Sequence, residues 1–296
     1  MSQKTMLNIN FVKYNKIGIA FSIILILISF LSLSTKFLNL GIDFTGGILI
    51  EARFEEKINI VKLRSALSQN SVEKFNIQSF NDNDVMIRLP KDENINQSEI
   101  VVKIKNILDS NFNNIQYRKV DFVGPKIGAE LVKSGILALL LSCFFVLIYI
   151  WYRFDLEFGI WAIIALLHDI IITIGFISIT SLEFNTTSIA ALLTVIGYSI
   201  NDSVVIFDRV RENLQKYKKM PIDQVINISI NSTFRRTIIT SGTTLLALLA
   251  LILFGGEILK TFSISLFFGI LIGTYSSIYI SSSLLIFTDP RKVKSS

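Results

Sequence analysis

Six stretches of the 296-residue chain, at 17–35, 131–150, 158–179, 187–207, 238–254 and 262–287, are apolar over about the 20 residues that a helix needs to cross a bilayer. That leaves the chain few options. Hydrocarbon offers no partner to a backbone N–H or C=O, so each stretch must satisfy itself as a helix. Only 18% of residues are charged against 51% hydrophobic, too few charges for a soluble chain, and they are gathered between the apolar runs. Lys4, Lys13 and Lys16 precede the first run, but it is longer than a signal h-region and ends in SLSTKFLNL rather than a small-x-small cleavage site. It reads as a retained span.

Six spans put both termini on one side, and lysine and arginine choose which. Arg209, Arg211, Lys216, Lys218, Lys219, Arg235 and Arg236 crowd the loop at 208–237, and Arg291, Lys292 and Lys294 end the chain. Both segments are expected in the cytoplasm. The formal net charge of +6 is therefore a topological signal and not a nucleic-acid footprint. The only cysteine, Cys143, lies within the second run, and a lone Cys with a lone His argues against a disulfide or a zinc site.

The fold class expected is an α-helical membrane protein of six spans carrying one small α+β domain. Residues 1–36 read as the N-terminus and first span, 37–130 as an extramembrane domain on the outer side, and 131–296 as the remaining five spans. Within the domain, 44–54 alternates like a strand and 60–69 has helical spacing. Residues 75–80 and 85–89 flank the turn NDND, 98–110 is amphipathic, and 115–123 is a last strand. That βαββαβ order is the ferredoxin-like pattern. GIDFTGG lacks the lysine and hydroxyl of a phosphate loop, and Asp43 in it reads as a turn residue. In the loop at 208–237, residues 221–230 have one apolar face and are expected to lie along the membrane surface.

Polar groups inside the spans are the candidate functional residues. Asn201 and Asp202 fall in the fourth run, with Asp202 about 8 Å from its basic end at 1.5 Å per residue, and an ionised carboxylate there costs roughly 3 kcal/mol. Arg236, at the mouth of the fifth run, is either its partner or a simple positive-inside anchor. An acid that can take a proton beside a base that cannot lose one forms a minimal ion-coupled switch. His168 and Asp169 sit about 14 Å deep in the third run, as a self-satisfied packing pair or as members of a proton path. Thr194, Tyr198 and Asp202 make one polar stripe, and Arg236, Thr240 and Thr243 or Thr244 another, with Thr237 and Ser241 alongside. Ser265, Gly269, Gly273 and Ser277, spaced by four, form a ridge for close helix packing.

Several blocks carry a resemblance: GIDFTGG, VGPKIGAEL, ALLHDIIITIGF, VIGYSINDSVVIFDRVREN, RRTIITSGTT and FGGEILKTFSISLFFGILIGTYSSIYIS. They closely resemble the SecF branch of the SecD/SecF family in the resistance-nodulation-division superfamily, from the first span to the last. A SecD branch member is expected to have a larger extramembrane region. The resemblance implies six helices with a ferredoxin-like periplasmic domain, pairing with SecD. It implies assistance to unfolded preproteins passing through the SecYEG channel with YajC and possibly YidC, driven by the proton-motive force, with protons as coupling ion and no other cofactor. It places the family's essential acid on Asp202, its essential arginine on Arg236 and its HD pair on His168 and Asp169. It is thus a non-enzymatic reading. The rivals are a half-transporter for a small molecule or lipid, and a non-conducting scaffold of the translocon.

Overall fold

The computed structural model describes residues 9–70, 72, 75–79, 82–90 and 97–293; Lys4, residue 80 and Lys294, named above, lie outside these. The chain divides into two compact units, residues 40–135 and residues 1–39 with 136–296. In chain order the elements used below are α1 (Asn15–Thr35), β1 (Gly47–Arg53), α2 (Ile60–Gln69), β2 (Asn76–Ser79), β3 (Asp84–Leu89), α3 (Gln97–Asn111), β4 (Gln116–Val123), α4 (Pro125–Arg153), α5 (Leu156–Thr180), α6 (Thr186–Lys216), α7 (Ile222–Phe254), α8 (Gly256–Ser276) and α9 (Ser282–Thr288).

The unit at 40–135 is the four-stranded sheet expected, in the order β2-β3-β1-β4, with β1 antiparallel to both its neighbours. Its alternation places Ile48, Ile50 and Ala52 of β1 and Val85 and Ile87 of β3 in one core with Leu63 and Leu67 of α2 and Ile104 and Leu108 of α3. Helix α2 starts where the side chain of Asn59 accepts from the N–H groups of Val61 and Lys62. The first strand is shorter than its alternation suggests. Ile42–Thr45 forms a helical turn instead, and it ends at Gly46 with φ 70°, which a side chain resists. On the opposite face of the sheet, Arg53 makes two bonds of 2.7 Å to the carboxylate of the buried Asp84. Helix α4 begins at Pro125, before the second apolar run does. Its Gly128 sits where a Cβ would be 3.1 Å from the Phe44 carbonyl oxygen. The compact unit runs to 135, beyond the 130 expected.

In the other unit, α1, α4, α5, α6, α7 and the α8–α9 segment are each long and apolar enough to cross a membrane. Helix α1 is inside out relative to a soluble helix. Its buried residues are Asn15, Gly18, Ser22, Ser29 and Ser32, while Ile17, Phe21, Ile24, Leu27 and Leu31 are exposed. Small residues let backbones approach where lipid removes any hydrophobic drive to pack. Helix α6 opens with a reciprocal cap between Asn185 and Ser188 and runs on to Lys216, past the apolar run.

The surface helix expected at 221–230 is not separate. It is the first part of α7, and its apolar face does not lie on a membrane surface: Val225, Ile226 and Ile230 are buried, with Ile226 and Ile230 in one cluster with Phe207 and Val210 of α6. Asn213 donates to Ser229 at 2.9 Å within the same hairpin. Between α8 and α9, Ser277–Ser281 forms a π-helical turn, where the hydroxyls of Ser282 and Ser283 reach carbonyls five residues back.

Candidate functional site

Two polar nodes lie within the bundle. The first is Asp202, which the amphipathic turn of α6 places on the buried side with 2% exposure. Its Oδ2 accepts from the Ser241 hydroxyl of α7 at 3.3 Å, and Ser241 meets Thr274 of α8 at 2.8 Å. Asn201, one residue earlier and so about 100° around the helix, is exposed. Arg236 is exposed too. Among the described residues it forms no ion pair with Asp202 within 4.0 Å. The sequence paired Asp202 with Arg236; the structure pairs it with Ser241. Helical phase is the reason. Asp202 is buried and Arg236 exposed, and the α7 hydroxyl that Asp202 meets lies five residues beyond Arg236.

The two polar stripes also meet once, where Tyr198 donates to Thr244 at 3.2 Å. Thr240 and Thr243 instead bond carbonyls of their own helix. Thr237, one turn before Ser241, is 1% exposed, and its hydroxyl has no partner among the described residues.

The second node centres on Asp169, 1% exposed. Its Oδ1 lies 2.8 Å from Nδ1 of His168, and its Oδ2 accepts from Ser199 of α6 at 2.5 Å and Ser276 of α8 at 2.8 Å. His168 Nε2 is 3.0 Å from the Ser22 hydroxyl of α1, and Ser22 is 3.0 Å from the Tyr275 hydroxyl. Four helices converge here. None of the bonds given for the described residues joins this node to Asp202, although Ser199 and Asp202 are neighbours on one face of α6.

The packing ridge lies against α6. A Cβ at Gly269 would stand 2.2 Å from Val195 of α6, and one at Gly273 would stand 3.1 Å from Ser199. Ser265 and Ser277 are fully buried. Ser22, Ser199, Tyr275 and Ser276 were not singled out from the sequence. For Ser22 the signal available is the 3-4 spacing of Asn15, Gly18 and Ser22 in α1.

A family model described as "Protein export membrane protein SecD/SecF, C-terminal" matches residues 103–291, and a second, "SecD/SecF GG Motif", matches 31–58. The chain is 49% identical over 281 residues to the protein translocase subunit SecF of Rickettsia bellii, covering 94% of this chain and 93% of that one. The chain belongs to the SecD/SecF family. Within that family it is 48% identical to SecF of Rickettsia felis over 97% of its length, covering 94% of that protein. Among solved structures it resembles SecDF of Thermus thermophilus, a translocon-associated membrane protein. That match has a TM-score of 0.90 and 34% identity over 98% of this chain. A structure of SecDF in a super-membrane-facing form matches with a TM-score of 0.72. The chain spans 40% of the length of the first SecDF chain and 41% of the second. As a SecD/SecF family member with six apolar helices, it is a multi-pass membrane protein.

Proposed function

We propose that this chain is the SecF-type half of a SecDF complex, which pairs with a SecD half. It assists unfolded preproteins leaving SecYEG, together with YajC and YidC, at the expense of the proton-motive force. The single observation that carries the coupling role is Asp202. It is a buried carboxylate in a spanning helix, held by the Ser241 hydroxyl at 3.3 Å. A carboxylate so placed can exchange a proton.

The basic hairpin at 208–237 and both termini are assigned to the cytoplasm and the unit at 40–135 to the periplasm, on the lysine and arginine distribution. One elementary charge moved through 100 mV is worth about 2.3 kcal/mol, a bias of about fifty-fold on a two-state equilibrium. Pulling a long chain therefore takes several protons or repeated small steps.

The test is proton-gradient-stimulated release of a translocating preprotein in vesicles holding this chain with SecD and SecYEG. Native protein is compared with Asp202→Asn at matched complex levels. Loss of stimulation is expected. Full retention overturns the coupling role and leaves a scaffold, while a small-molecule or lipid export defect without a secretion defect points to a half-transporter.

A further inference from the structure

The hydrogen bonds around His168 have only one consistent direction. Tyr275 lies 2.5 Å from the carbonyl oxygen of Gly18, which can only accept, so the phenol proton goes there. Ser22, 3.0 Å from the Tyr275 oxygen, must then donate to it. With its proton spent, Ser22 can only accept from His168, so Nε2 carries a hydrogen whatever the state of the ring. On the other side Nδ1 lies 2.8 Å from Oδ1 of Asp169. The chain runs one way, from His168 to Ser22 to Tyr275 to Gly18, and it begins and ends on different helices.

We propose that His168 is a positioning residue that sets the register of α1 against the bundle through this chain. The proposal rests on the translocation reading above, because α1 leads directly into the unit at 40–135. Most of the buried side of α1 is small residues, with Ser29 against Gly175 and Ser32 2.9 Å from Ser178, and its larger contacts are Gly18 under the Tyr279 ring and Phe21 edge-on to Tyr275 at 5.6 Å, none of which is a directional bond at mid-helix. Among the described residues, the other side-chain hydrogen bonds from α1 to the bundle, Asn15 with Ser283 and Ser32 with Ser178, lie near its ends. Ser22 is bonded on both sides at mid-helix, where lipid supplies no substitute partner.

The experiment uses the full complex in membranes with Cys143→Ser, Ser32→Cys and Ser178→Cys, and measures the initial rate of disulfide formation as a report of register. Asparagine can replace the Nδ1 donor to Asp169 but not Nε2, whereas glutamine reaches Ser22. Ser22→Ala and His168→Asn are expected to slow cross-linking about tenfold, the worth of one lost hydrogen bond, and His168→Gln to stay within about twofold of native. Equal rates in all variants, equal loss in His168→Gln and His168→Asn, or no cross-link in the parent overturn the proposal. Gradient-stimulated release is measured alongside and is expected to fall in Ser22→Ala; unchanged release there overturns the functional part. If the parent itself shows no gradient-stimulated release while the cross-linking pattern holds, the translocation reading fails and the α1 catch stands.

Discussion

Replacing Gly175 by alanine puts one methyl group into a close contact between α1 and α5. A Cβ there would lie 2.1 Å from Oγ, 2.3 Å from Cβ and 2.7 Å from Cα of Ser29. Ordinary carbon contacts are about 3.5–4.0 Å, so even with the serine side chain gone α1 and α5 must part by about an ångström. Rotation of Ser29 cannot relieve the clash, because its backbone is part of it. Overpacking of this kind costs about 1–3 kcal/mol, and the backbone component places Gly175→Ala at the upper end. Ser29→Gly removes the two nearest atoms and leaves the third, so the double variant is expected to recover about half. The neighbouring Ser32–Ser178 bond of 2.9 Å weakens in the single variant for the same reason. Denaturant-induced unfolding in detergent micelles, read by tryptophan fluorescence for the four proteins of a double-mutant cycle, gives the coupling directly. Gly175→Ala within about 0.5 kcal/mol of native, or a double variant no better than the single, would refute the reasoning.

Thr237→Val removes a buried hydroxyl that has no partner among the described residues, and is expected to leave unfolding stability unchanged or raised by up to about 1 kcal/mol with gradient-stimulated release intact; a loss of release would assign that hydroxyl to the Asp202 node. In the unit at 40–135, burial and then a hydrogen bond to Asp109 raise the pKa of Tyr117 above the ordinary phenol value of about 10. The folded state thus favours the protonated phenol, a contribution complete below the unfolded pKa and lost as pH rises through the folded one. Alkaline titration of the full chain, followed by protection of the β4 amides from hydrogen exchange, is expected to show destabilisation above about pH 10. Tyr117→Phe should flatten that limb, and an unchanged alkaline limb counts against the assignment.

Much of this architecture is legible in the sequence because its causes are local. Hydrocarbon forces each apolar run into a helix, and a 2-residue alternation interrupted by Asn-Asp turns forces the βαββαβ order. The position of Asp202 in α6 and of His168 and Asp169 in α5 follows from counting residues. The same local logic failed at 221–230, where an amphipathic face matched a membrane surface and a neighbouring helix equally well, and the hairpin with α6 took it.

Partnership is different in kind. Which hydroxyl meets Asp202 depends on the phase of α6 against α7, and a shift of one residue turns a side chain by about 100°. Arg236 lies in the right span and on the wrong face, and no count along the chain distinguishes the two. Ser22, Tyr275, Ser199 and Ser276 come from three helices separated by up to 254 positions, and each alone is an ordinary membrane serine or tyrosine. The sequence determined that charges are buried in this bundle. Only the packing of α1, α5, α6, α7 and α8 decided which groups satisfy them, because a hydrogen bond depends on tenths of an ångström and helix phase while a span depends only on composition.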